Sequence, residues 1–327
     1  MKIIFDLVNV GLGNNGGSQS IIKSANTLVD LGCDVTIIDS GRNQYTWDVL
    51  KANHKIIKSQ KDIPDADIII GTGYRSWKHI LNLPNRCGKK FIWVRGFETW
   101  NAPESELVKI LKNKDIIKIV NSIGLSNKLI SYNIDSFLIR PGHNFEDFQP
   151  LNIRDTNKII LGGLYNQGTK RVNKRTNWIL DAYPEIKYKY SGTKLYMFGT
   201  DGIPHYPIDK YIKDPNKIEK NKLLNKVNIW LAPTCNEGLH VAPQEFMLTK
   251  GFVVGTNASM SGMNDYLEDE VTGFVSDNNF KSFVASIERA IHSFHKTKIG
   301  ENARNRILEM GNREDNMNKM LNLFRTI

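Results

Sequence analysis

The sequence predicts an α/β fold of two doubly wound, Rossmann-like domains in series, facing a cleft. Three observations carry that prediction. Short β-rich runs alternate with longer amphipathic ones along the chain, the pattern of helices packed around parallel sheets. The alternation stops in the two-proline stretch PGHNFEDFQPLN and then restarts, as at an interdomain hinge. A length of 327 residues suits two domains at roughly 100 to 200 residues each.

The first domain is expected to span residues 1–145. KIIFDLVNV reads as a buried strand, followed by a Gly-rich turn and a helix from about Ser18 to Leu31 that Gly32 stops. CDVTIID, DIIIG, KKFIWV, IIKIVNS and SFLIR are the further strands. A second domain, residues 146–310, runs NKIILGG (strand), RTNWILDAYPEI (helix), KLYMFG (strand), NKLLNKVN (helix) and NIWLAP (strand). It continues with a helix near Ala242 to Lys250, the strand FVVGT, and two helices over roughly 279 to 297 and 299 to 325. Residues 311–327, the end of the last helix, are expected to pack back on the first domain.

Composition removes several classes. The chain has 40% apolar and 24% charged residues, close to a folded globular average, which excludes wholesale disorder. Three cysteines, Cys33, Cys87 and Cys235, form no C-x-x-C pair, so neither a disulfide framework nor a zinc knuckle is expected. Asp6 interrupts the first apolar run, which reads as a strand and not as a signal peptide. No run reaches the roughly 18 apolar residues of a membrane span, so the expected location is the cytoplasm, extending to the inner face of the membrane. The net charge is +10, and residues 151 to 226 alone hold 15 basic against 7 acidic side chains. Such a field attracts polyanions: nucleotide diphosphates, nucleic acid or anionic lipid. Peripheral contact with membrane or nucleic acid through this basic surface follows as an expectation, with a lysine-rich solvated surface as the plain alternative.

Two motifs point elsewhere. Gly11-Leu-Gly13-Asn-Asn-Gly16 after a strand, with Asp39 ending the next strand, fits a dinucleotide site and an NAD-dependent oxidoreductase. The helix pattern begins only at about Ser18, however, and no His/Asp or Tyr/Lys pair stands out for hydride transfer. Asp65-Ala-Asp67 resembles a manganese-binding D-x-D, yet it precedes its strand where such ligands follow one, so no metal site is expected.

The stretch from Trp230 to Gly273 carries the chemistry. Glu237 and Glu245 stand eight positions apart between two apolar strands, and Pro243 marks the first turn of a helix that contains Glu245. Glu237 therefore belongs to a loop and Glu245 to the start of a helix. One carboxylate can reach sugar hydroxyls and the other a ribose, while the amides of Gly238, Leu239 and His240 face a ligand between them. The helix N-terminus favours phosphate. A glycosidase pair would instead have to face each other across one bond.

Glu237-Gly-Leu-His-Val-Ala-Pro-Gln-Glu245 resembles the E-x7-E signature of retaining family 4 glycosyltransferases, which have the glycosyltransferase-B fold. Ala232-Pro-Thr234, Gly251-Phe-Val-Val-Gly255, Gly262 to Tyr266 and Val271-Thr-Gly-Phe274 are similar to the segments that flank it in that family. Gly16-Gly17 with Leu31-Gly-Cys-Asp-Val35 resembles the family's N-terminal G-G loop and second strand, and Phe91 to Trp100 resembles the Q-x-Y-E element of one branch.

The resemblance implies a nucleotide-diphosphate sugar as co-substrate, with no bound cofactor or metal, and transfer of a hexosyl or pentosyl group with retention. It implies Glu237 and Lys174 as catalytic residues. Glu245, Gly238, Leu239, His240, Lys170, Arg171, Arg175, Gly16 and Gly17 follow as donor-binding residues. Arg95, Glu98, Trp100, Tyr74 and Arg75 are the acceptor candidates, since aromatic faces stack on sugars and cations hold phosphates. Three departures matter: the family's usual Arg falls near Gly163, His240 replaces a small Gly, which alters donor choice or touches the sugar, and Arg95 stands where the Q-x-Y-E branch has Gln. The acceptor expected is a cell-envelope glycan or a lipid-linked sugar. The alternative is a hydroxymethylated base in DNA, as phage-type enzymes use.

Overall fold

The computed structural model describes residues 1–41, 44–167 and 172–327. They form two compact units: Met1–Gly142 together with Arg313–Ile327, and His143–Asn312.

The described residues of unit 1 contain seven strands, β1 (Lys2–Asp6), β2 (Asp34–Asp39), β3 (Asn53–Ile56), β4 (Ile68–Gly71), β5 (Lys89–Val94), β6 (Ile117–Val120) and β7 (Phe137–Leu138). They make one parallel sheet in the order β3-β2-β1-β4-β5-β6-β7. Helices α1 (Gly16–Asp30), α2 (Tyr74–Leu81), α3 (Glu104–Leu111) and α4 (Ile123–Ile130) are the crossovers, and α10 (Arg313–Thr326) closes the unit. Parallel pairing buries both faces, and the strands accordingly read as continuous apolar runs such as IIF and FIWV. Phe5, Ile37, Phe91 and Trp93 pack with Ile22 and Leu28 of α1 and with Met320 and Phe324 of α10.

Unit 2 holds β8 (Ile160–Leu164), β9 (Lys194–Gly199), β10 (Lys210–Lys213), β11 (Ile229–Ala232), β12 (Phe252–Thr256) and β13 (Gly273–Ser276). These six run parallel in the order β10-β9-β8-β11-β12-β13. Strand alternation sorts the core into two layers. Ile229 and Leu231 join Ile179 and Tyr183 of α5 (Thr176–Lys189) and Phe283 of α8 (Phe280–Ser293). Trp230 and Ala232 join Leu223 of α6 (Lys217–Leu224), Phe246 of α7 (Val241–Leu248) and Ile307 of α9 (Thr297–Glu309).

Several expectations are corrected. The two long C-terminal helices are three, because the chain turns at Gly311 (φ 85°) between α9 and α10. The second helix of unit 2 lies earlier than NKLLNKVN: Asn216 caps α6 and forms a reciprocal capping box with Glu219. His79 lies in α2, and its Nδ1 meets the buried Asp6 carboxylate at 2.6 Å. β3 and β10 were not anticipated; both are sheet edges with little burial.

Candidate functional site

In each sheet the strand order reverses once, between β1 and β4 in unit 1 and between β8 and β11 in unit 2. Loops leaving the carboxyl ends of two such strands diverge and leave a crevice, the usual ligand position of an open parallel sheet.

In unit 2 those loops carry Lys174, between β8 and α5, and Glu237, between β11 and α7. The Cys235 amide donates to the Asn173 carbonyl at 2.9 Å, joining the loops one residue before Lys174 and two before Glu237. The two side chains form an ion pair, both partly buried. The Glu237 amide also donates to Met260 O at 2.6 Å. Gly262, at φ 72°, lets this second loop come close: a β-carbon there would lie 3.0 Å from the His240 amide and 3.1 Å from Glu237 Cβ.

His240 caps α7 in a left-handed conformation, φ 41° and ψ 80°. Its carbonyl accepts from the Tyr266 hydroxyl at 2.9 Å. Gln244 braces the same loop, donating to Leu239 O at 2.9 Å while its Oε1 lies 2.9 Å from His143 Nε2. His240 is 6% exposed, with Nδ1 3.2 Å from Thr234 Oγ1 and Nε2 buried without a partner among the described residues. Leaving a buried acceptor unpaired costs about 1–3 kcal/mol. Burial, helped by the Lys174 charge, holds the ring well below its ordinary 6.5, so it is neutral. His240, Lys174, Thr234, Leu164 and Pro233 line a small recess at the switch point.

Glu245 is the fifth of the eight residues of α7 and is buried. Its Oε2 is 2.5 Å from Lys220 Nζ, supplied by α6. That ammonium also lies over the Phe148 and Phe198 rings, at 5.4 and 5.2 Å. Lys220 was not among the expected residues; the N-x-x-E capping signal of α6 was the clue to where its helix begins.

The other donor candidates are dispersed. Arg175 stacks on Trp178 at 4.2 Å and bonds Asn278, so its guanidinium is already engaged. Lys170 and Arg171 lie outside the described residues. Gly163 stands where the resemblance would place an Arg; a β-carbon there would lie 2.8 Å from Ile179 Cδ1, so a side chain requires Ile179 to shift. Gly238 and Leu239 complete the loop before His240.

In unit 1, Gly16 and Gly17 begin α1, capped by Asn15. Arg95 donates to Gly17 O at 2.7 Å and to Thr72 O at 3.2 Å, tying together the loops that follow β1 and β4. Burial pulls its guanidinium down to about 10, opposed by nearby Glu98. Arg95 is therefore a brace and not the open cation expected of an acceptor wall. Glu98 is raised by burial, and Asn101 donates to it at 2.6 Å. Tyr74 is also withdrawn: it is buried, and its hydroxyl accepts from Lys78 at 3.1 Å. Arg75 and Trp100 are exposed.

The two competing motifs are occupied by local structure. Asp39, the acid of the dinucleotide-like motif, is buried, with one oxygen taken by the Gly41 amide and the other 3.0 Å from His54 Nε2. Asp67 accepts from the Lys2 amide at 2.7 Å, and Asp65 pairs with Arg86 at 2.9 Å. Among the described residues no cluster of His, Cys, Asp and Glu is suited to a metal, and no helix is long and apolar enough to cross a membrane.

Residues 161–293 match the family model described as "Glycosyl transferases group 1". No curated protein matches the chain in sequence. Among solved structures, sucrose-phosphate synthase from Thermosynechococcus elongatus is similar at 14% identity and TM-score 0.79, over 100% of this chain and 98% of that one. HepE of Anabaena in complex with UDP-glucose is similar at 12% identity and TM-score 0.79, over 100% of both chains. WaaG, a glycosyltransferase involved in lipopolysaccharide biosynthesis, is similar at 13% identity and TM-score 0.72, over 98% of this chain and 99% of that one. The fold is thus the one these glycosyltransferase-B structures share: two parallel-sheet, Rossmann-like α/β units.

Proposed function

We propose that the chain is a retaining glycosyltransferase that moves a hexosyl or pentosyl group from a nucleotide-diphosphate sugar to an acceptor hydroxyl. The observation that carries this reading is the Lys174–Glu237 ion pair at the strand-order reversal of unit 2. A cation and a carboxylate joined there, beside a helix N-terminus, are the two charges that a diphosphate and a polyhydroxyl sugar need. The group 1 glycosyltransferase match over residues 161–293 supports it, as does the UDP-glucose named with HepE.

In this reading Lys174 neutralises the charge that grows on the departing diphosphate, an electrostatic contribution often the largest in such reactions. Glu237 holds hydroxyls of the sugar, and Glu245 holds the ribose once it turns from Lys220. The acceptor hydroxyl attacks the anomeric carbon on the face the diphosphate leaves, and the leaving phosphate oxygen takes its proton. No protein nucleophile is required.

Acceptor recognition falls to unit 1, through exposed Arg75 and Trp100. A cell-envelope glycan or lipid-linked sugar is the acceptor we favour, in keeping with the lipopolysaccharide role named for WaaG. The basic surplus of residues 151 to 226 favours a second reading, a hydroxymethylated DNA base. Duplex DNA binding that weakens steeply with salt distinguishes the second from the first.

The test is a screen of nucleotide sugars with mass detection of released nucleotide, with and without acceptor. Release should fall at least about 100-fold in Lys174→Ala and in Glu237→Ala. Thermal stabilisation by NADH and by no nucleoside diphosphate would overturn the reading in favour of a dehydrogenase.

A further inference from the structure

His240 combines three features that its loop does not need for folding. Its left-handed backbone is one that a β-carbon disfavours and that Gly or Asn takes readily. Its side chain makes no capping bond to α7. Its ring is nevertheless buried beside the Lys174 charge, in the lining of the recess.

The hydrogen bonds decide which nitrogen carries the proton. Thr234 Oγ1 has one proton and two neighbours, His240 Nδ1 at 3.2 Å and the Ser261 carbonyl at 3.2 Å. The carbonyl can only accept. Both contacts are satisfied together when Thr234 donates to Ser261 and Nδ1–H donates to Thr234. Nε2 is then a lone-pair acceptor, and it is the atom left buried without a partner among the described residues. A hydroxyl or N–H fits such an atom. A phosphate or carboxylate oxygen, itself an acceptor, does not.

We propose that His240 Nε2 accepts a hydrogen bond from one hydroxyl of the donor saccharide, uncovered when the donor draws Lys174 and Glu237 out of their mutual ion pair. The inference rests on the glycosyltransferase reading above and adds to it a selection rule. The donor carries a free hydroxyl at the carbon facing Nε2, and a deoxy or carboxylate-bearing sugar at that position is rejected.

Calorimetric titration tests this with UDP, GDP and ADP, their glucose, galactose, mannose and N-acetylglucosamine conjugates, and the deoxy analogues of the conjugate that binds. In His240→Gly the ratio of conjugate to free-diphosphate affinity should fall about tenfold. One deoxy analogue should cost the parent about tenfold and the variant nothing. His240→Asn, which also tolerates the left-handed backbone, should behave as the Gly variant does and serves if that one fails to fold. An unchanged affinity ratio, deoxy penalties equal in parent and variant, or conjugates that bind no tighter than their free diphosphates would overturn the proposal while leaving nucleotide binding intact. A parent protein that binds no diphosphate and no conjugate would overturn the glycosyltransferase reading along with it.

Discussion

Lys220 and Glu245 show what a buried ion pair contributes at the scale of single residues. The carboxylate side chain is 6% exposed, and Lys220 Nζ at 2.5 Å is the cation it meets. Substituting Lys220→Met removes the cation and leaves the carboxylate in the core, which should destabilise unit 2 by about 3–5 kcal/mol. Adding Glu245→Gln to that variant should recover a large part of the loss. Urea unfolding midpoints of the two variants and the parent check both steps. The acids of this site were legible in the sequence because the loop and helix that carry them are local: eight positions, two flanking strands and one proline place Glu237 and Glu245. Lys174 was legible only through resemblance. Lys220 was not legible, since its partner lies on another helix and nothing local records the encounter. Arg95 and Tyr74 mark the opposite limit. Cations and aromatics look the same in a sequence whether they face solvent or brace carbonyls, and here their polar ends are taken within unit 1.

At the scale of elements, the central strands were legible because parallel sheets bury both faces and leave apolar runs such as KKFIWV, which is β5 residue for residue. The edge strands β3 and β10 escaped because an edge buries little, so NHKI and KYIK show no such run. The break between α9 and α10 was hidden in a continuous amphipathic pattern, interrupted only where Gly311 turns left-handed. That break frees α10 to pack on α1 and the unit 1 sheet. Phe324 sits edge-on to Phe91, with ring centroids 4.8 Å apart. Phe324→Ala should therefore cost about 3–5 kcal/mol, a large-to-small change at a filled site. Hydrogen exchange resolved by peptide should place the lost protection in β1, β5 and α1 and leave β8 to β13 unchanged.

At the scale of the molecule, unit 2 is one continuous stretch, whereas unit 1 is assembled from two stretches that lie 170 residues apart. Each has its own apolar core. Removing residues 313–327 strips Met317, Met320, Leu321 and Phe324 from the first core and nothing from the second. The shortened chain should keep cooperative unfolding and nucleotide binding in residues 143–312 while the amides of residues 1–142 exchange freely, as mass spectrometry would record. The same interleaving governs how the polypeptide comes off the ribosome. Residues 143–312 emerge complete before Arg313 does, so unit 2 is able to finish before unit 1. The unit 1 sheet waits, with the groove for Phe324 open, until α10, translated after unit 2, arrives to fill it. During that interval the nascent protein offers a chaperone an apolar surface that the finished one has closed.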